Sequence, residues 1–334
     1  MDKEFHYWMT GIIAHGAGFT KKDARTIAHA SQFVDDNDEV MTIRDRNKPK
    51  DEYSNYISQT MNILKPRRDL MRIYPVFHFV PDASQAGAAR IDGEAHVLDT
   101  KPGNANARKM LTDALELPPK TLNRLHRIGI ASHAFADTWA HQNFVGWFDD
   151  FNGQALNPLP DIGHADFIHH PDWPGHRWHD TRLLDGYVDN NLRFLGAARG
   201  LYETYADATG KTNESWTSLE GKLARAMGPT ASGASNKGKK RRLEEYGKLA
   251  PWLGGKNEYD EHAWLKAAVE SKAEQTSEAG GTSIYQYRRY WSKKRQDTDW
   301  YQFQEGVKEH QAAALTSIRA LVAAGVDAPS MDRL

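Results

Sequence analysis

The densest chemistry in the chain lies in HAFADTWAH, residues 133–141, where His133, Asp137 and His141 recur at intervals of four. At about 100° per residue, each step of four turns by only ~40°, so on a helix the three side chains form one stripe facing one space. Two imidazoles and a carboxylate are donors that suit zinc or a similar divalent ion, and ligands on one rigid helix lose little entropy on binding. Ile128, Ile130, Ala131, Ala134 and Phe135 make this an apolar helix, so its polar side chains need partners. The partner is either a metal ion or a buried His/Asp hydrogen-bond cluster. A second concentration follows in GHADFIHHPDWPGHRWHD, residues 163–180, which carries His164, Asp166, His169, His170, Asp172, His176, His179 and Asp180. Seven of the fifteen histidines (133, 141, 164, 169, 170, 176 and 179) therefore fall in this short span, which favours ligation over an isolated hydrogen-bonded triplet.

Helices must hold these residues. The spacing predicts a short helix over 5–18 bearing His6, then a helix over 20–36 opened by a Thr20/Asp23 capping pair. At the end of the second, one of Asp35 and Asp36 is a candidate ligand, with His29 and Gln32 on the same face as Asp36. His78, flanked by Val76, Phe77, Phe79 and Val80 between two prolines, reads as a histidine held against the core in a short extended segment. Helices are expected over 108–117 and 120–141, and another from about 181 to 209 after the proline-broken His-rich loop. A helix around Trp264–Val269 and a final one over 299–325 complete the reading. No strand pattern of any length is evident, so the expected fold class is all-α, a single multi-helix domain. Its parts would be a metal-binding helical core at 1–227, a flexible basic linker or insertion at 228–257, and C-terminal helices at 258–334 packing on the core.

Composition narrows the chemistry further. Lys+Arg 43 against Asp+Glu 44 gives a net charge of −1, so no global attraction to nucleic acid or anionic membrane is built in. The absence of cysteine excludes disulfides, thiolate zinc sites and a cysteine nucleophile, and leaves any metal to nitrogen and oxygen ligands. No signal peptide and no bilayer-spanning stretch is recognisable, so a cytoplasmic location is expected.

The histidine in FHYW, the acidic helix end SQFVDD, the isolated FHF histidine, HAFADTWAHQNF and GHADFIHHPDW together resemble a bacterial family of uncharacterised function. That family is in turn distantly similar to the all-helical zinc-dependent phospholipase C and single-strand-specific nuclease superfamily. The resemblance implies His6 as an early ligand, Asp36 or Asp35 as the aspartate after it, His78 as a lone histidine, and His133 with Asp137 as a helix pair. It further implies that His141, His164 and Asp166 or Asp172 complete another metal site, with His170 a neighbouring candidate. Three features depart from the superfamily pattern. The superfamily uses the amine and carbonyl of a processed N-terminal Trp, where this chain has Met1; its next histidine follows the helix pair by about six residues instead of four; and its H-x3-E/D pair is replaced by HAD and HHPD.

The chemistry this implies is hydrolysis through two or three zinc ions or another divalent metal, acting on a phosphodiester such as a phospholipid or a nucleotide, with nucleic acid a candidate partner. Asp137 is the expected catalytic residue, bridging ions and orienting the attacking water. Trp139, Trp147, Phe148, Trp173 and Trp178 are candidate platforms for a base or an acyl chain. Two competing readings stand beside this one. In the first, the chain is a helical His-Asp-type phosphohydrolase or di-iron enzyme, for which the one His-Asp dipeptide, at 179–180, is the signal. In the second, it is a non-enzymatic helical protein whose metals only staple loops.

Overall fold

A π-helical turn at Glu4–Met9 runs directly into α1 (Thr10–Gly16), and α2 (Lys21–Asp36) follows. These come from a computed structural model that describes residues 1–325 apart from 49, 63, 66, 83–89, 94, 154–160, 234 and 280–281. Short strands β1 (Thr42–Arg44) and β2 (Glu52–Ser54) lead to α3 (Arg67–Met71) and a second π-helical turn, Tyr74–His78. Then come α4 (Ala105–Glu116), α5 (Arg124–Ala140), β3 (Phe148–Asp149), β4 (Asp161–Ile162), β5 (Arg177–His179), β6 (Tyr187–Asp189) and α6 (Asn190–Thr209). The chain continues through α7 (Trp216–Met227), α8 (Lys239–Leu249), α9 (Ala263–Ala268), the long strands β7 (Val269–Ala279) and β8 (Thr282–Trp291), and α10 (Asp299–Gly325).

Local signals explain several boundaries. Thr20 caps α2 by accepting from the Asp23 amide at 3.1 Å, as its spacing predicts. Asn104 and Asp189 cap α4 and α6 in the same way, and α6 stops at Gly210, whose φ of 65° is left-handed. Helix α5 is the centre of the molecule: α2, α4, α6 and α10 all pack on it, and it is buried on every face. A helix covered all round normally carries apolar residues, so the buried His133 and Asp137 on it require specific partners.

The approach of α2 to α5 depends on Gly129. A Cβ there would lie 2.5 Å from both the Ala30 Cβ and the Ile27 carbonyl oxygen. Backbone cannot yield as a flexible side chain can, so Gly129→Ala is expected to force the helices apart and to destabilise the protein by about 1–3 kcal/mol or more. A denaturant titration checks this, and an unchanged midpoint would mean that the interface tolerates the displacement.

The all-α expectation is wrong: the fold is mixed, 54% helical and 12% strand. A four-stranded mixed sheet has the order β2-β1-β8-β7, with β1 parallel to β8 through Ile43↔Arg289 and the other pairs antiparallel. Two small antiparallel pairs, β3–β4 and β5–β6, bracket the His-rich segment. Val269, expected in a helix, begins β7, and the helix expected from 181 begins only at Asn190 because 187–189 pair with β5. The segment expected to be a flexible basic insertion contains helix α8. No helix among the described residues is long and apolar enough to cross a membrane.

Among the buried carboxylates outside the histidine cluster, Asp99, 5% exposed, has an unpartnered oxygen, Oδ1. Burial pushes its pKa up to about 7 against the opposing pull of Lys101, Arg182, His96 and Arg90. Because the folded-state pKa lies above the unfolded value, the native state binds the extra proton. Its stabilising contribution is full below pH ~4 and is lost as pH rises through about 7, a difference of at most ~4 kcal/mol. Asp99→Asn is expected to flatten this part of the stability curve, and chemical denaturation from pH 4 to 8 reads it directly; an unchanged slope would exclude the assignment.

Candidate metal centre

Three segments from distant parts of the sequence converge on the stripe of α5. The π-helical turn at the N-terminus supplies His6, the end of α2 supplies Asp35, and the Tyr74–His78 turn supplies His78. His78 is thus placed by a helical turn, with Pro75 near its start, and not by an extended segment. The His-rich loop adds His164 and Asp172. Together they form three groups in which the ligand atoms lie within 4.8 Å of one another: His6, His133 and Asp137; Asp35, His78 and His133; and His141, His164 and Asp172.

The tautomers are set by backbone carbonyls, which can only accept. His133 Nδ1 donates to Ser31 O at 2.8 Å, His141 Nδ1 to His78 O at 2.7 Å, His164 Nδ1 to Ile168 O at 2.6 Å, and His78 Nε2 to Ser58 O at 2.9 Å. Whenever such a ring is neutral, its other nitrogen presents a bare lone pair to the cluster, the arrangement typical of metal-ligating histidines. Two such nitrogens, His133 Nε2 and His78 Nδ1, face each other at 3.2 Å, and both stand beside Asp137 Oδ2, at 3.2 and 3.3 Å. With both rings neutral these are two acceptors face to face, a contact that a proton or a metal ion between them makes favourable.

The spacings fit such a cation. Ligands about 2.0–2.2 Å from an ion at tetrahedral angles are themselves about 3.3–3.6 Å apart. Here His133 Nε2 is 3.6 Å and His78 Nδ1 3.8 Å from Asp35 Oδ1; His141 Nε2 is 3.1 Å from Asp172 Oδ1, and His164 Nε2 3.6 Å from Asp172 Oδ2. His6 Nε2 lies 3.1 Å from Asp137 Oδ1. The donor set, nitrogen and carboxylate only, suits zinc and other borderline divalent ions.

Electrostatics point the same way. Burial lowers His6 well below its ordinary value and brings His133 and His164 to about 4, so these rings are neutral at pH 7. Burial alone would protonate Asp137, but His141, the Met1 ammonium, His133 and His6 reverse this and hold its carboxyl well below the usual range. Asp172 is held low too: His164 and the ammonium outweigh its burial. The amine of Met1 is buried 2.5 Å from Asp137 Oδ1 and 3.3 Å from Asp172 Oδ1; against burial, Asp137, Asp172 and Asp35 raise it to about 11. Burial and the neighbouring Asp137 push Asp35 well above the carboxylate range.

Of the residues singled out from sequence, His6, Asp35, His78, His133, Asp137, His141, His164 and Asp172 come together. Asp36 does not join them, since it accepts from Tyr259 Oη at 2.5 Å and Gln32 Nε2 at 3.0 Å. Asp166 falls outside all three groups, and His170 pairs with His176 at 2.7 Å instead. The His179–Asp180 dipeptide is also elsewhere: Asp180 is buried in an ion pair with Arg182, and His179 lies edge-on to Tyr187. Trp139 is no platform, because its indole fills a slot formed by Gly103, Gly196 and Gly200; Trp147 and Trp178 are buried. The carbonyls of Ser31, Ser58 and Ile168 that orient the ligands had no sequence signal, since every residue carries one. Ile168 has a φ of 52°, rare for a β-branched residue, so the carbonyl that holds His164 sits in strained backbone.

A family model described as a family of unknown function (DUF6765) matches residues 1–318, and the chain belongs to that family. No curated protein and no solved structure matches it.

Proposed function

We propose that this member of a family of unknown function is a metal-dependent hydrolase of phosphodiesters, with zinc-type ions held at the three His/Asp groups. The observation that carries the reading is the convergence of imidazole nitrogens and carboxylate oxygens at ligand-to-ligand distances, with an N–H of His78, His133, His141 and His164 given to a backbone carbonyl. The order of the ligands along the chain supports it, because an early histidine, an aspartate, a lone histidine, the H-x3-D pair and later His/Asp ligands follow the superfamily pattern set out above.

Divalent ions bound here would supply Lewis acidity, acidifying a water and neutralising charge on a phosphoryl oxygen. The chain's own residues do the rest. Asp137, 1% exposed, turns Oδ1 toward His6 and Oδ2 toward His133 and His78, so its two oxygens face ligand atoms of two of the three groups. Asp35 at 24% and His164 at 17% exposure open the cluster to solvent, which a substrate requires and a closed structural site does not.

The test is elemental analysis of the purified full chain after zinc saturation and dialysis, with turnover measured on bis-p-nitrophenyl phosphate, phospholipid vesicles and single-stranded DNA. Two or three equivalents of metal and chelator-sensitive turnover are expected. Less than one equivalent ends the reading, and full metal with no turnover on any of the three leaves only a structural site.

A further inference from the structure

The segment 235–242, basic and rich in lysine, is packed against two of the chain segments that deliver ligands to the centre. Arg242 is 2% exposed and grips the fully buried Glu4 with two bonds, Nε to Oε2 at 2.7 Å and Nη2 to Oε1 at 2.9 Å. Two further N–H groups donate to Lys237 O at 2.6 Å and to Asn236 Oδ1. Asn236 Nδ2 reaches Asp2 Oδ2 at 3.3 Å, and Lys239 Nζ lies 3.7 Å from the same oxygen.

Residues 2–6 are in turn folded into a hook. The amides of Phe5 and His6 both donate to Asp2 O, and the Asp2 amide donates to the carbonyl of Asp172, itself a ligand. On its other side Arg242 contacts the His-rich loop so closely that a Cβ on Gly175 would fall 2.9 Å from Nη1. The adjoining chain adds Ala231 N to Gly175 O at 2.9 Å and Arg177 N to Ala231 O at 3.0 Å. One guanidinium therefore holds the hook that carries His6 and abuts the loop that carries Asp172.

From this we infer that Arg242, with Glu4, is a positioning residue of the metal centre: it seats the hook so that His6 meets Asp137 and His133. The inference rests on the metal-centre reading above. A planar bidentate fork fixes direction as well as distance, which a lysine cannot reproduce.

The experiment measures zinc equivalents and affinity, by chelator competition, in the full chain carrying Arg242→Met, Arg242→Lys, Glu4→Gln, or Arg242→Met with Glu4→Gln. Arg242→Met and Glu4→Gln are expected to lose the ion of the His6 group or to bind it roughly 10–100-fold more weakly, as loss of an outer-shell partner does, while the other ions stay. Arg242→Lys should fall between these and the unmutated protein. The double variant leaves no unpaired buried charge, so its thermal stability should recover while the missing ion does not. A pair with only a structural role would lower stability and leave metal content unchanged, and that result overturns the inference. Recovery of the full complement in the double variant overturns it as well. An unmutated protein that binds no zinc defeats the metal-centre reading itself, a distinguishable failure.

Discussion

Replacing Asp137 with asparagine is expected to leave a folded protein that has lost at least one equivalent of metal and its phosphodiester turnover. Asp137 turns Oδ1 to His6 at 3.1 Å and Oδ2 to His133 and His78 at 3.2 and 3.3 Å, so it stands between two of the ligand groups. Asparagine keeps the shape but removes the charge that offsets the cations. The loss in turnover should exceed the roughly 10–100-fold that removal of an outer-shell partner costs. Asp180, in the His-rich loop, is the contrasting case. It is fully buried against Arg182, so Asp180→Asn should lower stability and leave metal content unchanged. Asp137→Asn protein with its full metal complement and undiminished turnover would return the cluster to a hydrogen-bonded core feature.

Chelation should be nearly as consequential for stability. Removing the ions leaves His133 Nε2 and His78 Nδ1 opposed at 3.2 Å beside a buried carboxylate, with nothing to hold them together. A ligand present at 100 times its Kd stabilises by about 2.7 kcal/mol, so each ion removed should lower Tm by roughly 4 °C for a chain of this size. The effect should shrink as pH falls. Asp35, raised well above the usual carboxylate range by burial and Asp137, and the histidines must be proton-free to bind, so uptake releases protons. Differential scanning calorimetry with and without chelator between pH 5.5 and 8 reads both effects, and a chelator-insensitive Tm would count against bound metal.

What the sequence by itself determined is local. The i, i+4, i+8 spacing of His133, Asp137 and His141 placed three ligands on one line because a helix repeats almost every four residues, and α5 spans Arg124–Ala140 with His141 as its cap. The Thr20 cap and the helix over 299–325 were equally legible, since capping and apolar periodicity act within a few residues. Tertiary structure decided the rest. Asp35 and Asp36 differ by one step on the same helix, and only the position of α2 against α5 turns Asp35 toward His133 and Asp36 toward Tyr259. Strand β7 was illegible because VESKAEQTSEA is polar and rich in helix-forming residues; it is a strand through its ladder with β8, which pairs with β1 from more than two hundred residues earlier. The lysine-rich segment read as a solvated insertion because charge runs usually are, whereas a glutamate at position 4 draws Arg242 into the core. Pairings of this kind are set by which surfaces meet, and no window of neighbouring residues contains them.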